Sequence, residues 1–402
     1  MAPDRPVPCK WFSPGGNAHR ENFVNILISS YVHWWNAEAA YAAVLAETLL
    51  QAGHRVWVLT QPGTTNWEHL QARGLPVRTD IPLDTGNPWR LGRALADLRT
   101  LQRQERIDVV NVFHAREFPW HLLARRGMPE LTVVRTRGSA QPARGHALNR
   151  WLYGRACDGL VASAEVVRLQ MEHALALPAG RVRTVYFPAE NTPPPDAAEK
   201  ARMRIAVLQS LALPPQSRLL ALVGRIAPEK GQDILVEAMA LLTRHLPEAT
   251  LLLLDKGYAD EAPRRVRLLE RIAALGLERR VHLLGFRKDV RALMGAVELG
   301  VIPSVASEVN CRVAMEFFSV GTPVLAFPTG ALPEVVEPGI SGQVTADYSP
   351  AGLARALESM LARPEELERL GNGALRQART RFSRERFLRD SLAVFEQARR
   401  KK

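Results

Sequence analysis

The chain has 402 residues, 47% of them hydrophobic and 23% charged, with a formal net charge of +12. This is the composition of a soluble globular protein, and the length predicts two domains of roughly 200 residues. No run of 18 apolar residues occurs, which excludes a membrane-spanning helix. The basic balance suits an anionic ligand, an anionic membrane face or nucleic acid, without choosing among them.

Residues 1–22 are polar and rich in Pro and Gly, lack the apolar core of a signal peptide, and read as a loose lead-in. FVNILISS (23–30) reads as a buried strand, followed by a helix from about Ala37 to Ala52 and a stop at Gly53-His54. RVWVLT (55–60) is the next strand, Leu91 to Arg106 is helical, and IDVVNVF (107–113), LTVVRTRG (131–138) and GLVASAE (159–165) are further strands. Strands alternating with helices predict a parallel sheet covered on both faces. Four prolines within residues 188–198 mark 188–200 as the linker. The rhythm then restarts with RLLALVG (218–224), ATLLLLD (249–255), RVHLLGF (280–286), ELGVIPS (298–304) and TPVLAF (322–327). The expectation is an α/β chain of two doubly wound, Rossmann-like domains, 23–187 and 201–383, facing each other across a cleft. The basic helix 384–402 is expected to pack back on the first. The cysteines, Cys9, Cys157 and Cys311, are few, odd in number and far apart. They point to a reducing compartment, hence the cytoplasm.

Two stretches carry chemistry. In VGRIAPEKG (223–231), Arg225 and Lys230 stand just past the end of a buried strand, where open α/β sheets bind ligands. A guanidinium and an ammonium in one loop suit a diphosphate. In SEVNCRVAMEFF (307–318), another strand end leads into a helix starting near Cys311. Backbone N–H groups from Val309 to Arg312 face outward there and favour a phosphate or a sugar hydroxyl. Glu308 is then a carboxylate in the loop, and Glu316, on the helix, is placed to accept the two hydroxyls of a ribose.

GRIAPEKG, the Glu308-to-Glu316 spacing, GTPVLA (321–326), GALPEVV (330–336) and GISGQV (339–344), in this order, resemble the C-terminal half of the group-1 glycosyltransferases of the GT-B fold. QAGHRVWVLTQPG (51–63) and IDVVNVFHA (107–115) extend the resemblance more weakly into the first half. The resemblance implies that Arg225 and Lys230, with Asn310, Cys311 and Arg312, hold the diphosphate of a nucleotide-sugar donor. Glu316 would bind its ribose, and Gly285, Phe286 and Arg287 would line the base pocket through backbone groups. Glu308 would face the donor sugar near its anomeric carbon. It further implies retention of anomeric configuration and no metal or other cofactor, in keeping with the lack of an Asp-x-Asp pair or a His/Cys cluster.

The sequence departs from the family in four places. Val309-Asn310-Cys311 replaces the usual Gly-Phe-Gly. SYVHWWNAEA (30–39) replaces the first glycine-rich loop, placing Trp34, Trp35 and Asn36 on the acceptor side. Arg137 stands where the family has a histidine; His114 is the nearest substitute, so both are candidate catalytic residues. TVYFPAEN (184–191) replaces the usual Pro-Asn-Gly-Val. The expected acceptor is a glycolipid, a lipopolysaccharide core or another saccharide. Peripheral contact with an anionic membrane is expected through the basic segment 89–106. A nucleotide-sugar epimerase of the same fold and a binding protein without transferase activity are the alternatives. Nucleic-acid binding is disfavoured, since no RNP, zinc or helix-turn-helix signature appears.

Overall fold

The computed structural model describes residues 23–139, 141–190, 192–255, 257 and 261–400. The lead-in 1–22 and Cys9 lie outside the described residues. The chain divides into two compact units. The described residues up to Tyr186, joined by those from Phe387 onward, form the first, and Phe187–Arg386 form the second.

The first unit holds seven parallel strands: β1 (Asn25–Ser29), β2 (Arg55–Leu59), β3 (Val77–Arg78), β4 (Val109–Val112), β5 (Thr132–Arg137), β6 (Gly159–Ala162) and β7 (Val182–Thr184). Their order in the sheet is β3-β2-β1-β4-β5-β6-β7. Ile26 pairs with Val56 on one side and Val109 on the other, so β1 and β4 lie side by side where the direction of winding reverses. Ile26, Leu27 and Ile28 are fully buried, as the unbroken apolar run requires when helices cover both faces. The helix Ala37–Gln51 starts at Asn36, whose side chain accepts the Ala39 N–H at 2.9 Å.

The second unit holds six parallel strands: β8 (Arg218–Val223), β9 (Ala249–Leu254), β10 (Val281–Leu283), β11 (Leu299–Ile302), β12 (Val324–Ala326) and β13 (Gly342–Val344). Their order is β10-β9-β8-β11-β12-β13, with the reversal between β8 and β11. Each unit is thus a doubly wound, Rossmann-like sheet. Gly300 of β11 allows the ring of Phe317 to lie against the strand; a Cβ there would approach the ring to 2.7 Å.

Two boundaries differ from the sequence expectation. The stretch 188–200 is not linker throughout, because the helix Ala197–Ser210 begins inside it. Asp196 and Glu199 form a capping box there, which starts a helix directly after the last proline, Pro195. The C-terminal helix spans Arg384–Arg400. From Phe387 it belongs to the first unit, where Phe387 meets Tyr41 edge-on at 5.2 Å and Arg399 pairs with Asp108 at 3.4 Å. Among the described residues no helix is long and apolar enough to cross a membrane.

Candidate active site

Arg225, Lys230, Glu308, Asn310, Cys311 and Arg312 follow the carboxyl ends of β8 and β11, the adjacent strands at which the sheet of the second unit reverses direction, whereas Gly285, Phe286 and Arg287 follow β10 at its edge. The point of reversal is where open α/β sheets leave a crevice for ligands. After β8 the chain passes Arg225 and makes one tight turn, Pro228–Lys230, before Gly231 opens the helix Gln232–Leu242. Gly231 has φ +70°, and a Cβ on it would lie 2.0 Å from the Pro303 carbonyl oxygen. Only glycine lets the two loops approach this closely. The Val305 N–H donates to the Glu229 carbonyl at 3.0 Å, tying the loops together.

After β11 the backbone twists through Ser307 (φ +61°) and Cys311 (φ +44°) into the helix Arg312–Ser319. Both are left-handed positions occupied by residues other than glycine. A left-handed backbone at a residue with a side chain carries some strain. From the other side, the Ala331 N–H donates to the Glu308 carbonyl at 2.7 Å. A Cβ on Gly330 would lie 1.8 Å from that same oxygen. Glu308 is thus fixed by its backbone before its side chain is considered.

Each cation here faces a carboxylate. The Lys230 ammonium donates to Glu308 Oε1, and the buried Ser304 hydroxyl donates to the same oxygen at 2.8 Å. Arg225 reaches Glu229 at 3.1 Å, and Arg312 Nε reaches Glu316 Oε1 at 2.8 Å. Asn310 is buried. Burial, reinforced by the Glu308 carboxylate, pushes the Cys311 thiol well above its ordinary pKa, which disfavours the thiolate. At the end of β10, Gly285 (φ +66°) and the exposed Phe286 form a turn, and Arg287 grips Asp289 through two hydrogen bonds of 2.8 and 2.7 Å. Arg265 braces this turn: it pairs with Asp255 and donates to the Leu283 carbonyl at 3.3 Å.

His114, Arg137, Trp34, Trp35 and Asn36 belong to the first unit. His114 follows β4, with its Nδ1 3.3 Å from Glu117 Oε2. The Glu117 carboxylate raises the histidine's pKa against the opposing effect of burial. Arg137, at the end of β5, is buried and donates to the Gln141 carbonyl. Arg135 is almost fully buried and splints β4 to β5 by donating to the carbonyls of Val112 (3.0 Å) and Phe113 (2.6 Å). Trp34 is 70% exposed. Trp35 stacks on His69 at 4.4 Å, with Arg73 5.3 Å from its ring centre, and Asn36 serves as the helix cap described above. Sequence reasoning did not single out Ser304, Arg265, Glu117 or Arg135. Ser304 carried the clearest signal, as the last residue of a strand-end motif.

Among the described residues no group of three His, Cys, Asp or Glu side chains is placed to hold a metal ion. Residues 204–377 match the family of glycosyl transferases group 1, and residues 39–188 match glycosyltransferase family 4. The chain belongs to the group-1 glycosyltransferases. A glycosyltransferase from Rickettsia africae has the same fold, with a TM-score of 0.81 at 16% identity, over 94% of this chain and 99% of that one. Anabaena HepE in complex with UDP gives 0.80 at 20% identity, over 93% and 100%. These likenesses establish the GT-B fold for this group-1 glycosyltransferase. In sequence it is 33% identical over 210 residues to a D-inositol 3-phosphate glycosyltransferase of Salinispora tropica, covering 51% of this chain and 43% of that protein. The chain spans about half the length of the curated relatives it matches.

Proposed function

We propose that this group-1 glycosyltransferase moves a hexosyl or heptosyl unit from a nucleotide-diphosphate sugar to a saccharide or glycolipid acceptor, a lipopolysaccharide core among them. Transfer retains the anomeric configuration and needs no metal. The observation that carries this reading is the set of three cations, Arg225, Lys230 and Arg312, on the two loops at the sheet's switch point. Carboxylates accompany them: Glu308 on Lys230, Glu316 on Arg312 and Glu229 on Arg225.

A diphosphate entering these loops exchanges carboxylate partners for phosphate oxygens. The ammonium and guanidinium groups neutralise the charge that builds on the leaving diphosphate, work a metal ion does in other transferases. Glu316 accepts the ribose hydroxyls, and Glu308, released from Lys230, faces the donor sugar. The backbone turn at Gly285, Phe286 and Arg287 receives the base. The first unit supplies the acceptor side through His114, Arg137, Trp34, Trp35 and Asn36. The Salinispora tropica relative is named for a phosphorylated polyol, and Arg137 suits such an anionic acceptor as well. Trp89, 88% exposed at the start of the helix Pro88–Gln104, and the exposed Arg90 and Arg93 beside it suit peripheral contact with an anionic membrane, on the cytoplasmic side.

The test is a thermal-shift screen of the purified chain against UDP, GDP, ADP, CMP and dTDP, with and without EDTA. UDP comes first because the Anabaena structure holds it. A ligand bound only by the folded state raises the melting temperature by mass action. One nucleoside diphosphate acting equally in EDTA supports the proposal, and no shift with any of them contradicts it.

A further inference from the structure

The loop after β4 contains a buried carboxylate that the donor chemistry does not use. Glu117 is 1% exposed and sits at the start of the helix Phe118–Ala124. One of its oxygens accepts the backbone N–H of His114 at 3.2 Å and that of Tyr31, at the end of β1, at 3.5 Å. Its other oxygen lies 3.3 Å from Nδ1 of the His114 ring. The carboxylate therefore holds the histidine's backbone and ties it to the loop after the neighbouring strand, while Oε2 and the ring Nδ1, both buried and without a hydrogen-bond partner among the described residues, face each other out of line for a hydrogen bond. Nδ1 is the buried nitrogen, while the side chain as a whole is 34% exposed. Nε2 is thus the nitrogen left open.

A carboxylate at a helix start is ordinarily a partner of the helix dipole. That role does not require full burial, which costs a carboxylate heavily unless it is partnered. A buried carboxylate beside the inner nitrogen of a half-open histidine can do what carboxylates do behind metal-bound and catalytic histidines. It selects the tautomer and holds the ring.

We propose that Glu117 is a positioning residue that keeps a proton on Nδ1 of His114 and so turns Nε2 outward toward the acceptor. In the neutral ring Nε2 then accepts a hydrogen bond from an acceptor hydroxyl; in the protonated ring it donates one. The other charged groups facing His114 are Glu38, from the helix Ala37–Gln51, and Arg135, from β5, and their effects on its charge oppose each other. This inference rests on the acceptor-side role given to His114 above.

The experiment is 15N-edited NMR of the full chain with selectively labelled histidine, the His114 signals being assigned with H114Q. The expected result is a neutral ring protonated on Nδ1, and a titration midpoint that falls by about one pH unit in E117Q. The pH profile of donor hydrolysis should shift with it, a change that loss of packing alone does not produce. E117Q keeps the oxygen that accepts the two backbone N–H groups. Should it nevertheless fail to fold, the tautomer in the native chain decides. A neutral ring protonated on Nε2, or a midpoint unmoved in folded E117Q, overturns the inference. If the tautomer and the shift are found but H114Q turns over donor and acceptor normally, Glu117 positions the ring as inferred and the acceptor-side role of His114 is wrong.

Discussion

Lys230 and Glu308, 78 positions apart in sequence, form an ion pair at the carboxyl edge of the second sheet, with Ser304 donating to the same carboxylate oxygen. On the proposed function, the diphosphate and Glu308 compete for one ammonium. Replacing Glu308 by Gln removes the competitor but preserves shape and the Ser304 hydrogen bond. We expect E308Q to bind the nucleoside diphosphate at least as tightly as the native chain. Donor turnover should fall by about a hundredfold, the usual cost of losing one electrostatic stabiliser at a reacting centre. Calorimetry and donor-hydrolysis rates on the same preparation check both halves.

Glu316 is assigned to the ribose although it pairs with Arg312 at 2.8 Å. The two roles separate by ligand. If Glu316 holds ribose hydroxyls, E316A weakens binding of the nucleoside diphosphate by about tenfold or more, since hydrogen bonds to a charged group contribute about 1.5–3 kcal/mol. Inorganic pyrophosphate, which has no ribose, should bind E316A no worse than the native chain. Equal losses for both ligands would reduce Glu316 to a partner of Arg312.

Gly330 is the position least tolerant of a side chain in the site, with φ +60° and the Glu308 carbonyl 1.8 Å from where a Cβ would stand. G330A must move either its own turn or Glu308. A left-handed alanine costs of the order of 1 kcal/mol or more before the clash is counted. For a unit of this size we expect the melting temperature to drop by roughly 5 °C. Diphosphate binding should be lost with it. An unchanged melting temperature would show that the turn relaxes freely.

Cys311 and Cys157 are both buried, and burial raises both thiols, Cys157 to about 11. Neither therefore forms thiolate at neutral pH. Maleimide labelling at pH 7.5, read by peptide mass spectrometry, should leave both unmodified in the folded chain and modify both in denaturant. Rapid labelling of folded Cys311 would reopen a nucleophilic role for it.

The strands with long apolar runs and the strand-end motifs were legible in the sequence because both follow from local pattern. β3, β7 and β13 were not, having only two or three residues each and no alternation to detect. The helix start at Asp196 was hidden by the prolines before it, although its Asp-x-x-Glu capping box is a local signal. In the site, the residue types were legible and their partners mostly were not. Glu308 meets Lys230, and Arg265 meets Asp255, only because parallel strands bring distant loops to one edge. Cys311 is a further case. Its residue type gives no sign of a left-handed backbone, yet the chain adopts one there, between loops tied to the neighbouring strand ends.

The central claim is that Lys230, at the end of β8, holds the diphosphate of the donor. Isothermal titration of the native chain and K230A with the preferred nucleoside diphosphate, and with the matching monophosphate, tests it most directly. The account predicts that the native chain prefers the diphosphate and that K230A loses about ten- to a hundredfold in affinity for it, with the monophosphate little changed. An unchanged diphosphate affinity in folded K230A would contradict the account.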